Sequence, residues 1–241
     1  MEIKTEAVVL QATDYKDDDK LLTLFSPTMG KITANIRGVK KPKAKLAFAA
    51  QPLCFCEYVL AQKNGRHTVI SAYLHESFFA LREDVVRFFT ACAAAEFVKE
   101  LATENDAHEG LFIAFVECLK GLCLSDEDEA ETWLAFALVA LREAGYPLDL
   151  GFWEENAESN GEVLFFDFAD GRFAPSHLVS QGQRASVCTY QLLRKCAGLD
   201  YDETALAGGK KRALRLIKAY AEEKMQLVLP SLGELIRMLG E

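Results

Sequence analysis

The spacing of apolar residues changes near residue 77 of this 241-residue chain, and that change limits the folds it can adopt. Before residue 77, short apolar-rich runs are bounded by turn residues, which is typical of β-strands. After it, apolar residues recur every three to four positions, as at Phe88, Cys92 and Ala95, which is typical of amphipathic helices. The sequence therefore predicts an α+β fold with a β-rich first part.

The β-rich part contains one strong turn signal and one long connection. Asn64-Gly65 lies between two apolar runs, as in a two-residue β-hairpin. The long connection contains Gly38 and Pro42 and follows the third candidate strand. Five short strands with one long connection suit an OB-fold barrel, and an SH3-like barrel is the alternative. The strands are predicted at residues 5–11, 20–26, 31–37, 52–62 and 66–74.

A helical domain, residues 81–241, is predicted to follow a barrel domain of residues 1–80. The helical pattern stops at residues 149–186, where Asn160-Gly161 and Asp170-Gly171 mark turns beside short apolar runs. We interpret this segment as a small hairpin insertion. Helices are predicted again at residues 187–196, 210–225 and 231–239.

Charge is distributed unevenly along the chain. The formal net charge is -9, yet the first 80 residues hold 11 basic and 8 acidic residues, giving +3, and the remainder carries -12. Residues 31–45 contain six cations and no acidic residue. Cations held on a strand and a proline-restricted loop can meet successive phosphates, so they predict nucleic-acid backbone binding, with a solubilising surface as the alternative. They are Lys31, Arg37, Lys40, Lys41, Lys43 and Lys45.

A second basic cluster is made of Lys210, Lys211, Arg212, Arg215 and Lys218. On a helix, Lys211, Arg215 and Lys218 would form one ladder while Leu214 faces inward. A solvated helix face and a docking site for DNA or an acidic peptide both fit this pattern. Aromatic residues on the predicted strands fit either base stacking or core packing. They are Tyr15, Phe25, Phe55, Tyr58 and Tyr73.

The residue spacing contains no catalytic or metal-binding motif. The four histidines and seven cysteines show none of the spacings of a zinc site, and Gly208-Gly209-Lys210 lacks the other residues of a phosphate-binding loop. Asp17-Asp18-Asp19 fits a turn between strands better than a cation site. We therefore expect a non-enzyme with no metal and no cofactor. Without a signal segment or an apolar run near the ~20 residues of a membrane span, we expect a soluble cytoplasmic protein with no membrane partner.

The order of short motifs along the chain resembles the RecO family of bacterial DNA repair proteins. Residues 19–25 read Asp-Lys-Leu-Leu-Thr-Leu-Phe, and residues 37–43 read Arg-Gly-Val-Lys-Lys-Pro-Lys. Other motifs of the resemblance follow in the expected order over essentially the whole chain. They lie at residues 7–10, 14–15, 30–32, 46, 51–52, 141–147, 173–175 and 229–232.

This resemblance implies an N-terminal OB fold, a helical C-terminal domain and a non-catalytic recombination mediator of the RecF pathway. Such proteins bind single- and double-stranded DNA, anneal complementary strands, pair with RecR, and engage the acidic C-terminal tail of single-stranded DNA-binding protein (SSB) to help load RecA. DNA contact falls on the six cations of residues 31–45. The SSB tail is expected on the helix with Lys211, Arg215 and Lys218. A nucleoid-associated location in the cytoplasm is expected as well.

The predicted insertion departs from the family pattern. Many RecO-like proteins hold zinc there with four cysteines, whereas residues 149–187 contain none. We therefore expect no zinc, and an aromatic core in its place. Its members would be Phe152, Trp153, Leu164, Phe165, Phe166, Phe168 and Phe173.

Two other functions remain open on the sequence. One is a protein-interaction adaptor that does not bind DNA and works through the acidic helical domain. The other is an enzyme acting on nucleic acid, which would need a set of clustered carboxylates or metal ligands. The residue spacing supplies no such set.

Overall fold

The computed structural model describes residues 1–124, 128–151, 164–179 and 181–239. The chain divides into two compact units, Met1–Ser125 and Asp126–Glu241. The first contains a β-barrel and two helices, and the second contains helices and a small sheet. This confirms the α+β class. The predicted division into domains 1–80 and 81–241 stays a prediction.

The barrel of the first unit is closed by five strands. They follow the order β1-β2-β3-β5-β4 around the barrel. β3 and β5 are parallel, and the other neighbouring strands are antiparallel. This is the OB-like barrel that the sequence predicts. The strands are β1 (Glu2–Tyr15), β2 (Asp19–Ser26), β3 (Gly30–Ile36), β4 (Phe55–Lys63) and β5 (Arg66–Glu76).

Side chains from alternate positions along the strands fill the interior of the barrel. Leu22 and Leu24 on β2, and Ile32 and Ile36 on β3, point into the core, because side chains two residues apart share one face of a strand. β4 begins three residues later than predicted. Pro52 cannot donate a ladder hydrogen bond, and Leu53 has a left-handed backbone with a φ of 69°. The strand therefore does not extend through these two residues.

Two helices complete the first unit: α1 (Val85–Leu101) and α2 (Glu109–Leu124). The Asp84 side chain caps α1 by accepting a hydrogen bond from the Arg87 backbone N–H. On α2, the Phe112 ring lies 5.7 Å from the Phe25 ring and 5.8 Å from the Phe55 ring, measured between centroids. Helix α2 therefore shares an aromatic core with the barrel.

In its described residues, the second unit combines four helices with a three-stranded sheet in the order β7-β6-β8. Asp170-Gly171 forms the predicted turn between β6 and β7. The sequence did not predict β8, because three residues are too few to show a period. The elements are α3 (Glu129–Glu143), β6 (Leu164–Asp167), β7 (Arg172–Pro175), β8 (Gly182–Arg184), α4 (Val187–Cys196), α5 (Gly209–Met225) and α6 (Pro230–Met238).

Aromatic rings pack the small sheet against α4 and α5. The buried ring of Phe166 lies 5.0 Å from that of Phe173 and 5.3 Å from that of Tyr220, and Phe173 lies 5.0 Å from Tyr190. Phe166 and Phe173, two members of the predicted aromatic core, therefore belong to an aromatic core in the structure. The predicted turn at Asn160-Gly161, together with residues 152–153, lies outside the described residues.

Changing Gly30 to alanine is expected to lower the free energy of unfolding of the first unit by about 2 kcal/mol or more. Gly30 has a φ of +64°, and a Cβ there would lie 2.2 Å from the Asp106 carbonyl oxygen and 2.6 Å from that of Thr103. Gly65 is the matched control, because its φ is +72° but a Cβ would meet nothing within 4 Å. Gly65→Ala should cost only about 1 kcal/mol. Urea denaturation measures both variants, and equal losses would contradict a close backbone approach at Gly30.

Phe173→Ala is expected to lower the stability of the second unit by about 3–5 kcal/mol, because it leaves a cavity between buried rings. Phe165→Ala, at a half-buried position on the neighbouring strand, should cost clearly less. Hydrogen exchange localises the loss to β6, β7 and the helices beneath them. A metal chelator should leave the stability of both variants unchanged. One stoichiometric zinc per chain in the purified protein would contradict the aromatic-core interpretation.

Candidate nucleic-acid interface

The predicted cations lie mostly on one ordered segment after β3, residues 37–46, which we call the basic loop. Its backbone folds through successive turns: the Lys41 N–H donates to the Gly38 carbonyl (3.3 Å), and the Ala44 N–H donates to the Lys41 carbonyl (3.1 Å). Gly38 has a φ of +65° and Lys43 a φ of 63°. These bonds hold the cations on a defined backbone.

Apolar side chains anchor the basic loop to the barrel. Val39 is buried in the barrel core, and Leu46 packs against the same core. Immediately after the loop, Ala49 is buried and its carbonyl accepts a 2.8 Å hydrogen bond from the Tyr58 hydroxyl. With these residues held inward, the side chains of Lys40, Lys41, Lys43 and Lys45 are directed outward and exposed.

Carboxylates at the connection between β1 and β2 contact the basic loop, and we call residues 14–19 the acidic turn. The Lys40 ammonium lies 2.8 Å from an Asp14 carboxylate oxygen, and the Lys41 ammonium lies 3.5 Å from one of Asp18. The Gly38 N–H donates to the Asp19 carboxylate at 2.9 Å. The acidic triplet is thus the predicted turn, and the acidic turn as a whole pairs with two of the six cations through Asp14 and Asp18.

Lys40 and Asp14 shift each other's titration. The hydrogen bond from Lys40 holds the pKa of the Asp14 carboxyl below its ordinary value of 3.8. The same bond raises the pKa of the Lys40 ammonium. A depressed carboxyl pKa means that the pair is lost only when the pH falls through that lowered value, so it is intact at neutral pH.

Lys31 is set apart from the other predicted cations. Its ammonium donates a 2.9 Å hydrogen bond to the Lys99 carbonyl at the end of α1, and its backbone N–H donates to the Thr103 carbonyl at 2.9 Å. The side chain is half-buried. Lys31 therefore joins β3 to the segment after α1, and the structure does not bring it into the basic loop.

Three of the six cations have exposed side chains and no ion pair. Within the described part of the chain, no carboxylate lies within 4 Å of the charged groups of Arg37, Lys43 or Lys45. Arg37 directly follows β3, and the two lysines follow in the basic loop. Among the six predicted cations, these three carry positive charge that no carboxylate of the described residues compensates.

Of the aromatic candidates, the structure leaves two well exposed. Phe25 and Tyr58 are buried, and Phe55 is half-buried against Phe112. Tyr15 is 40% exposed beside the acidic turn, with the Lys16 ammonium 5.3 Å from its ring centre. Tyr73 is 68% exposed on β5, where it lies opposite Glu57 of β4 in the strand register. Tyr15 is therefore the aromatic side chain placed beside the basic loop.

The second predicted cluster lies on α5, and its role as a docking face stays a prediction. Lys218 pairs with Glu222 on the same helix, whereas Arg215 lines a cavity. The inward residues of α5, including Leu214 and Tyr220, are buried as predicted. Lys210, at the start of the helix, lies 2.8 Å from an Asp128 carboxylate oxygen. Lys210 and Lys218 are thus matched locally, whereas Arg212 and Arg215 have no ion pair within the described residues.

The described residues contain neither a cluster of metal-ligand side chains nor a helix suited to span a membrane. No three His, Cys, Asp or Glu side chains among them are arranged to hold a metal ion. None of the helices that the structure describes has the length and apolar character needed to cross a membrane.

Sequence reasoning missed the pairing partners of the basic loop. Asp14 and Asp18 meet the loop only because the β1–β2 hairpin and the path of the loop bring their ends together, and neither spacing nor composition reveals that contact. Arg184, which lines the same cavity as Arg212 and Arg215, was also missed. It is separated from them in sequence and belongs to a short strand that meets their helix only in the folded unit.

Comparison with known proteins gives family matches along most of the chain. A family model described as "Recombination protein O N terminal" matches residues 1–78, and one described as "Recombination protein O C terminal" matches residues 82–233. The two models follow each other in the order of their names.

Several relatives carry the name "DNA repair protein RecO". The one from Acetivibrio thermocellus is 30% identical over 144 residues, which are 60% of this chain and 57% of the relative. The one from Clostridium perfringens is 32% identical over 147 residues, which are 61% of this chain and 59% of the relative. The one from Salinibacter ruber is 26% identical over 203 residues, covering 83% and 78%. The chain therefore matches less than two thirds of the length of the first two relatives. Because both terminal family models match in order, the chain belongs to the RecO family.

Proposed function

We propose that this protein is a DNA repair and recombination mediator that binds single- and double-stranded DNA through its basic loop and anneals complementary strands. The observation that carries the proposal is the set of three uncompensated cations, Arg37, Lys43 and Lys45, held beside an OB-like barrel. Family membership and the name of its relatives support it. The proposal assigns no catalytic step to the protein.

Annealing follows from the chemistry of such a surface. Lysine and arginine side chains bind phosphates and release condensed counterions, and they read no base identity. The base edges of a bound strand therefore stay free to pair. Cations between two strands also reduce the repulsion between their phosphates. The acidic charge elsewhere on the chain would keep DNA from spreading over the rest of the protein.

The partners form the second part of the proposal. By its family resemblance, the protein works with RecR and helps to load RecA onto SSB-coated DNA. The acidic C-terminal tail of SSB is proposed to dock on the basic face of α5, at Lys211, Arg215 and Lys218. All six cations of residues 31–45 remain in the proposed DNA site, with Lys31 as the residue that fixes β3. A cytoplasmic, nucleoid-associated location is proposed with this function.

Replacing Arg37, Lys43 and Lys45 together by alanine is expected to weaken DNA binding and reduce its dependence on salt. Each phosphate contact contributes about 0.7–0.9 to the slope of log affinity against log salt concentration, so the slope should fall by about 2–3. Fluorescence anisotropy with single-stranded and duplex oligonucleotides at several salt concentrations measures it. Annealing of complementary oligonucleotides should slow in parallel.

Lys40→Ala/Lys41→Ala is the comparison variant: both lysines belong to the proposed DNA site, but their carboxylate partners compete with phosphate, so each should contribute less than an unpaired cation. The slope of this variant should change by less than about 1. An unchanged DNA affinity and salt slope in the triple variant would show that the basic loop is not the DNA-binding site. Absence of DNA binding at low salt, with RecR binding retained, would instead favour the protein-interaction adaptor.

Asp14→Asn is expected to raise DNA affinity by about two- to fivefold at low salt, because it frees Lys40 from an exposed ion pair. Asp17→Asn removes the same charge from a residue with no ion pair in the described structure, so it should have a smaller effect. Since the pKa of Asp14 is held below 3.8, the advantage should be constant between about pH 6 and 8. Equal gains in the two variants would show that only net charge matters.

A further inference from the structure

We propose that the second unit contains a binding site for a phosphate monoester. The site is a cavity of about 650 Å³ whose lining includes Arg184, Arg212 and Arg215. No feature of the basic loop contributes to it.

The fold places the three arginines at this cavity by independent contacts. Arg184 ends β8, and the following residue is fixed by a 2.8 Å hydrogen bond from the Ala185 N–H to the Leu164 carbonyl. Gly182 lets β8 approach β6 closely, since a Cβ there would lie 2.1 Å from the Phe166 carbonyl oxygen. The other two arginines lie three residues apart on α5 and share one helix face. The cavity therefore has walls from both a sheet and a helix.

The charge of these arginines is not matched by the protein. Within the described residues, no carboxylate lies within 4 Å of any of the three guanidinium groups, and all three side chains are exposed. Arg212 is directed toward the start of α4, where its guanidinium lies 3.6 Å from the Cys188 sulfur. Their neighbours on α5, Lys210 and Lys218, do have carboxylate partners. The shortage of counterions is thus local to the cavity.

Three cations favour phosphate over a single carboxylate. A phosphate monoester carries a charge of about -1.5 to -2 near neutral pH and three acceptor oxygens, whereas a carboxylate carries a charge of one. Guanidinium groups bind phosphate through two parallel hydrogen bonds. The first turn of α4, which begins at Val187, borders the cavity and adds the positive end of the helix dipole.

The remaining walls fit the body of a nucleoside. Leu164, Val187 and Leu216 supply apolar surface, and Gln183 supplies an amide that can bond to a base edge. A volume of about 650 Å³ exceeds the space that a phosphate needs and lies in the usual range for small-ligand sites. The geometry points to a phosphorylated nucleoside.

Such a group has two sources: a free nucleotide, or the terminal phosphate of a nucleic-acid strand. The strand-end form rests on the proposed function, and the free-nucleotide form does not. An internal phosphodiester carries only one negative charge, and the nucleic-acid chain continues from it in both directions. A concave site therefore suits the terminal phosphate of a strand better. Arg215 also belongs to the proposed face for the SSB tail, so a peptide bound there would compete with phosphate.

Calorimetric titration of the full chain with inorganic phosphate, at ionic strength kept constant with chloride, tests the site. Phosphate should bind, and Arg184→Gln or Arg215→Gln should weaken it about five- to tenfold. Lys218→Gln is the control with the same charge change on the same helix, and it should leave affinity within about twofold. Arg184→Lys keeps the charge but loses the planar fork, so it should fall between the two. Circular dichroism confirms that each variant is folded.

Oligonucleotides with a 5′-phosphate or a 5′-hydroxyl separate the two sources. An arginine-dependent preference for the phosphorylated end supports the strand-end form, and binding of a mononucleotide without such a preference supports the free form. Phosphate binding that is absent, or that Lys218→Gln weakens as much as Arg184→Gln, overturns the proposal. So does arginine-dependent binding of an aspartate-rich peptide without binding of phosphate. The Arg37, Lys43 and Lys45 triple variant should bind phosphate normally, which keeps failure here distinct from failure of the basic loop.

Discussion

Hydrogen bonding along both edges of β1 is the constraint on which the first unit depends. Residues 2–8 of the strand pair with β4, and residues 8–15 pair with β2, with a register irregularity between Val9 and Gln11. Bulges of this kind bend a strand, and here the bend lets one strand serve two neighbours and close the barrel. A slip by one residue would turn its buried face toward water. The register therefore fixes where Asp14 stands relative to the basic loop.

The basic loop is a partly compensated surface rather than a bare cluster of positive charge. Two of its lysines meet the acidic turn, and a backbone N–H of the loop meets a third carboxylate. Exposed ion pairs of this kind contribute little to stability, so they orient the lysines more than they hold the fold. A polyanion can exchange for the carboxylates at small cost. The surface thus combines fixed cation positions with weak internal competition, and salt weakens both kinds of contact.

Much of this architecture was predictable, and the reason is local. Short stretches of sequence determine the strand alternation, the Asn64-Gly65 turn and the helical periods of α4, α5 and α6. The barrel and the last three helices were therefore predicted nearly as the structure has them. The order of motifs supplied the family. The role of Lys31 could not be predicted, because it depends on a carbonyl 68 residues away. The same holds for the cavity lined by Arg184 and Arg212, since β8 is too short to show a pattern and meets α5 only in the folded unit.

The contact at Gly30 also bears on which piece of the chain can fold by itself. The family models separate near residue 80, yet β3 is bonded to the carbonyls of Lys99 and Thr103, and Phe112 covers two aromatic side chains of the barrel. A fragment cut near residue 80 would leave those donors without acceptors and expose the Phe25 ring to water. The smallest autonomous piece of the first unit is therefore the barrel together with both of its helices. In the intact chain, these helices and the barrel should open and close as one cooperative block.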